Sequence, residues 1–119
     1  MTYHVRGKFE VKLTPQALAD PGAASLGRLS IAKRYFGELD AEAAGEMLTA
    51  SGTVKGSAVY VAVERVTGTL SGRRGSFALH HTGIMNRGDA QLTITVVPDS
   101  GTDELAGLSG RMGITIAEK

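Results

Sequence analysis

Val5-Arg6-Gly7-Lys8-Phe9-Glu10-Val11-Lys12-Leu13 sets an apolar residue or glycine at every odd position and a charged residue at every even one. A period of two sends alternate side chains to opposite faces, the pattern of a strand with one wet face. Thr14-Pro15 predicts its end, and Asp20-Pro21-Gly22 predicts a turn, because proline fixes φ and glycine tolerates positive φ. Residues 26–36 read as a second strand, with Leu29, Ile31 and Tyr35 on one parity and Lys33 interrupting them. Leu39, Ala41, Glu42, Ala43 and Ala44 are fair helix formers, but Gly37 and Gly45 bracket them too closely for a stable helix. A turn leading into a short strand over residues 46–50 is expected there. Residues 57–70 form a long strand, with Val59, Val61 and Val63 on one side and Tyr60, Ala62 and Glu64 on the other. Ser71-Gly72-Arg73-Arg74-Gly75 is a hairpin loop, and residues 76–85 follow as a strand with Phe77, Leu79 and His81 in register. After the turn at Asn86-Arg87-Gly88-Asp89, Leu92-Thr93-Ile94-Thr95-Val96 alternates cleanly, and Pro98-Asp99-Ser100-Gly101 closes it. The last expected strand holds Leu108, Met112, Ile114 and Ile116.

About seven strands joined by short connections make an antiparallel meander, because a parallel crossover needs a dozen or more linking residues. The fold class is therefore all-β, in one domain over residues 1–119: such a sheet either stacks into a sandwich or closes into a small up-and-down barrel of about seven to eight strands, which also removes exposed edges. Glycines inside strands suit the bulges and coiling of a small barrel. The 119 residues suffice to bury a core, and the chain has no cysteine for disulfides, thiolate metal sites or a Cys nucleophile. A formal charge of +1 with scattered basic residues argues against nucleic acid, which demands a concentrated basic face. No apolar run approaches the roughly 20 residues of a membrane-spanning helix, and Met1-Thr2-Tyr3-His4-Val5-Arg6 has no signal-like core. The expected location is cytoplasmic, with neither a membrane nor a nucleic acid as partner.

Four stretches taken in order carry a resemblance: residues 45–50 (Gly45-Glu46-Met47-Leu48-Thr49-Ala50), 62–72, 75–83 and 96–110. The most specific is Gly101-Thr102-Asp103-Glu104-Leu105-Ala106-Gly107-Leu108-Ser109-Gly110, read as a tight turn followed by a strand whose glycines permit close backbone approach. From about Tyr3 onward the chain resembles the bacterial family called domain of unknown function 3224. That resemblance implies an allene oxide cyclase-like β-barrel, the fold also seen in plant dirigent proteins. It also implies a further, aromatic-rich strand beyond residues 112–116, where this sequence ends at Ala117-Glu118-Lys119. A truncated terminus is the plainer explanation; with that strand absent, closing the barrel requires a neighbouring chain or the N-terminal strand to fill the gap. Relatives sharing the barrel cyclise substrates or steer radical coupling, but their reactive residues are not recognisable in this sequence, and a shared fold is a weak warrant for a shared activity.

His81 shares the parity of Phe77 and Leu79 and so points inward, as a general base, a ligand hydrogen-bonding group or a bonded core histidine. Glu46, Glu64 and Arg65 are charges inside otherwise apolar strands. If the three valines face inward, Arg65 goes with them and Glu64 joins Tyr60 outside; a bulge reverses this. An Arg–carboxylate pair pinning strand register is the plain reading, since buried charges must be paired. The functional reading gathers a carboxylate, Arg65 and His81 around a small ligand, with Tyr60 beside them. Three scattered histidines lack ligand spacing, so neither a metal nor a cofactor is expected. The leading expectation is a barrel that binds a small apolar or amphipathic molecule in its lumen. The second is an isomerase or cyclase in which His81 and Glu46 or Glu64 shuttle a proton. The third is a structural module whose exposed strand faces build a homo-oligomer.

Overall fold

The computed structural model describes residues 3–20, 22 and 25–114. Seven strands run in chain order through one antiparallel sheet: β1 (Gly7–Gln16), β2 (Leu26–Gly37), β3 (Leu39–Ser51), β4 (Ala58–Leu70), β5 (Arg73–Asn86), β6 (Asp89–Val96) and β7 (Arg111–Met112). Each strand pairs with its sequence neighbours, as a meander requires, and no pairing joins β1 to β7 among the described residues. The sheet is thus open in a barrel-like fold. No described helix is long and apolar enough to cross a membrane.

The hairpins follow from local chemistry. Ser71 and Gly72 both take positive φ (49° and 81°), as do Arg87 and Gly88 (51° and 96°). These two-residue turns match the right-handed twist of the strands they join, and they are shorter than the loops expected from composition. Pro15 does not stop β1 as its position suggested. It lies inside the strand opposite Leu29, and β1 is an edge strand, where one neighbour is enough and a missing N–H is tolerated. The stretch expected to turn before residue 46 is strand throughout: β3 pairs with β4 along its whole length, and the pairing overrides the helical bias of its alanines.

Cross-strand partners share a face, so register fixes which residues look inward. The core comprises Tyr35, Ala41, Ala43, Val66, Phe77, Leu79, Ile94 and Leu105. On β4 Val59, Val61 and Val63 point outward and Tyr60, Ala62, Glu64 and Val66 point inward, with continuous pairing on both sides. Between the two orientations left open for this strand, Glu64 is inside and Arg65 outside.

Where β6 ends, residues 97–105 continue alongside the first half of β5. Val97 N–H donates to the Ala78 carbonyl at 2.9 Å, Thr102 N–H to the Ser76 carbonyl at 2.9 Å, and Ser76 N–H to Thr102 Oγ1 at 3.0 Å. A 3₁₀ turn at Asp103–Leu105 then drops Leu105 into the core. The glycine-rich run thus docks one hydrophobic side chain against β5 instead of leading straight into a strand. Leu108 lies in the connection, β7 is only two residues long, and Ile116 lies outside the described residues.

Candidate functional site

β2, β4 and β5 each send ionisable side chains to one place on the inner face. Lys33 stands opposite Ala43, and Glu64 stands opposite Gly45, so the intervening strand β3 offers only a methyl group and a hydrogen there. Side chains two strands apart can therefore meet over it. A Cβ built on Gly45 would lie 1.9 Å from the Val63 carbonyl oxygen and 2.7 Å from Glu64 Cα, which excludes any larger residue.

Glu64 is the hub. Its Oε1 accepts the hydroxyl proton of Tyr35, and its Oε2 accepts from Lys33 Nζ at 2.9 Å. His81 Nε2 lies 2.7 Å from the same Oε2, an ion-pair distance, although the ring is not aligned for a directed hydrogen bond. The Glu64 side chain is wholly buried, and those of His81 and Lys33 are 4% and 6% exposed. Lys33 Nζ also stands 5.0 Å from the Phe9 ring centroid and 5.6 Å from that of Tyr35, distances at which ring faces stabilise a cation.

Burial alone would push the Glu64 carboxyl up. Contacts from His81, Tyr35 and Lys33, together with the Lys33 charge, outweigh burial and bring it down to about 2. Tyr35 is pushed well above the ordinary phenol range, first by burial and then by its bond to Glu64 and the carboxylate charge. Tyr60 is raised too, by burial and then by Glu64. At neutral pH the site therefore holds an ionised carboxylate, a neutral phenol and a lysine within one cluster.

Of the five residues singled out from sequence, Glu64 and His81 touch, and Tyr60 stands one register row from His81 with its ring over Gly83. Glu46 sits on the outer face in an exposed ion pair with Arg28 at 2.5 Å. Arg65 is also outside, where its Nη1 donates to Ser76 Oγ at 3.1 Å. The residues that sequence reasoning missed are Lys33 and Tyr35. Their signal was present, since a lysine on the apolar parity of β2 points inward with its neighbours.

The two best recesses lie at opposite edges of the sheet, and both are open. One, of about 340 Å³, is lined by Glu10, Val11, Lys12, Ala32, Lys33 and Arg34, four of which share the outer-face parity. The other, of about 280 Å³, is lined by Leu92, Thr93, Ile94, Arg111, Met112 and Gly113. No group of His, Asp and Glu fit to hold a metal occurs among the described residues.

The sequence model for the family described as "Protein of unknown function (DUF3224)" matches residues 5–119. The chain belongs to this family. A solved structure described as a protein with unknown function from the DUF3224 family of Shewanella oneidensis MR-1 is similar to this member throughout. It is 50% identical, with a TM-score of 0.88, and the match covers 96% of this chain and 89% of that one. No curated protein matches.

Proposed function

We propose that this DUF3224 member binds a small, neutral amphipathic molecule on the inner face of its sheet. The observation that carries the reading is an inner face on which apolar side chains stay half-exposed on either side of a buried Lys33–Glu64–His81 cluster. The surroundings suit a ligand with a polar end and an apolar body. Val11 and Leu13 on β1 and Leu92 on β6 face inward by register yet remain 44–46% exposed. β7 pairs only with Ile94 and Thr95, so Leu92 borders the open side of the sheet, and β1 forms its other edge. A hydroxyl or carbonyl oxygen reaching the cluster would accept from Lys33. An anionic head would meet the Glu64 charge.

Binding is favoured over proton shuttling by the protonation of the hub. A general base works best with a pKa near the working pH, and Glu64 at about 2 is far below neutrality. Its role in this reading is to fix Lys33, Tyr35 and His81 in place.

Titration with the neutral amphipathic fluorophore N-phenyl-1-naphthylamine tests the proposal. The expected result is saturable enhancement with the native chain, and an affinity about tenfold weaker in Leu13→Glu, which sets a charge on the apolar rim. A linear, non-saturating signal, or equal affinity in a folded Leu13→Glu chain, would overturn it.

A further inference from the structure

The middle strand of the sheet is apolar on the wrong side for a monomer. Along β4 the inward positions carry Tyr60, Ala62, Glu64 and Val66, while Val59, Val61 and Val63 face outward, 44%, 45% and 56% exposed. A strand that is hydrophobic on both faces is the signature of a sheet covered on both faces. Register extends the patch: Leu48 stands beside Val61, Ile84 beside Val59, and Leu26 in the same row across Ala50. These three are 51%, 43% and 49% exposed.

We infer that this outer face is a two-fold interface with a second copy of the same chain, packed sheet on sheet about the β4 valines. Size supports a copy as the occupant. Six large apolar side chains, each about half-exposed, make a patch of the order of 500 Å², at the upper end of what monomers expose. Two such patches with a polar rim reach the ~1,200 Å² at which stable interfaces begin. The rim supplies a second argument. The β2–β3 side of the patch carries the Arg28–Glu46 ion pair, whereas the β5–β6 side carries the hydrogen-bonding groups of His80, Thr82, Gln91 and Thr93, with Arg111 beyond them opposite Thr95. A two-fold axis parallel to β4 and lying between the sheets sets β3 of each copy over β5 of the other. The valine rows then meet at the axis, the Arg28–Glu46 rim of each copy faces the hydroxyl and amide rim of its mate, and Arg65, which follows Val63 on the same face of β4, meets its own copy at one end of the patch. Aligned sheets pack in this way about 10 Å apart, with their inner side chains interdigitated. The remainder of the outer face carries Glu10, Lys12, Arg34, Glu42 and Arg65, which marks the valine patch off from a continuous apolar belt.

Sedimentation equilibrium of the full chain across micromolar concentrations reads the association directly. The expected mass is twice 12.4 kDa. Val61→Glu, which forces two carboxylates into the centre of the interface, should weaken association roughly thirty-fold or more, as loss of a central hot spot does. A monomeric native chain at every concentration, or a Val61→Glu chain that remains dimeric, would overturn the inference. Because a charged variant on the middle strand can fail to fold, a second reading uses the chain's lack of cysteine. Val61→Cys introduces its sole thiol, and a short bis-maleimide should link it into a covalent dimer, while Lys12→Cys, on the same face but outside the patch, should stay uncoupled. Equal coupling of both variants, or of neither, would overturn it as well.

Discussion

Glu64 has no solvent to fall back on, so its three partners carry the whole cost of keeping a charge on the inner face. Removing one member of a buried pair strands the other, which typically costs 3–5 kcal/mol, whereas replacing both by apolar groups of similar shape is often neutral. Glu64→Gln keeps the shape and deletes the charge, leaving the Lys33 ammonium in a site 6% exposed. We expect urea denaturation to show a loss of about 3 kcal/mol for this variant and recovery of most of it in Lys33→Met/Glu64→Leu. A single-variant loss below about 1 kcal/mol would mean that water reaches the cluster and screens it as it does a surface pair. The stranded lysine has a partial refuge against the Phe9 and Tyr35 rings, so Phe9→Leu should deepen the Glu64→Gln defect.

Among the six long strands, β1 is the least secured. Nearly all of it is exposed, it pairs on one side only, and Pro15 deprives it of one donor. β3, β4 and β5 are each flanked on both sides and hold most of the core. Local opening follows exposed backbone and sparse packing. Amide hydrogen exchange should therefore be fastest in β1 and slowest in β4 and β5, and comparable protection along β1 would indicate that its free edge is covered in solution. The same contrast explains what could be read from sequence. The two-residue period of β1, β4 and β6 and the glycine turns at residues 72 and 88 gave strand number and order without long-range information. β3 resisted because its Ala41, Ala43 and Gly45 are small for a reason sequence does not display: they clear a path for Lys33 and Glu64 to meet. The orientation of β4 resisted for a related reason. Its more hydrophobic parity faces outward, so the ordinary rule that valines point to the core gives the reverse. His81 was placed correctly because its neighbours Phe77 and Leu79 are true core residues.

At the scale of the whole molecule, the cluster makes stability depend on pH at both ends. Glu64 titrates near 4.5 when unfolded and at about 2 when folded, so its contribution is complete above pH 4.5 and is lost as the pH falls through 2. Tyr35 acts with the opposite sense. Its folded pKa lies above the ordinary value of 10.0, so the folded state favours the neutral phenol, and stability falls once the pH rises past 10 and unfolded chains ionise. Between these limits the two groups contribute a plateau. Urea midpoints measured at intervals from pH 2 to pH 5 should rise steeply in the native chain and more shallowly in Glu64→Gln, because the variant has no carboxyl to titrate at the hub. The exposed ion pairs Arg28–Glu46 and Arg34–Asp40 are common to both chains and are screened by salt. Repeating the series at high salt removes much of that shared part and leaves the difference that belongs to the buried site. Equal acid slopes for the two chains at high salt would mean that Glu64 is already protonated in the folded state near pH 4. The cluster would then be a neutral hydrogen-bond network around Lys33 rather than an ion pair.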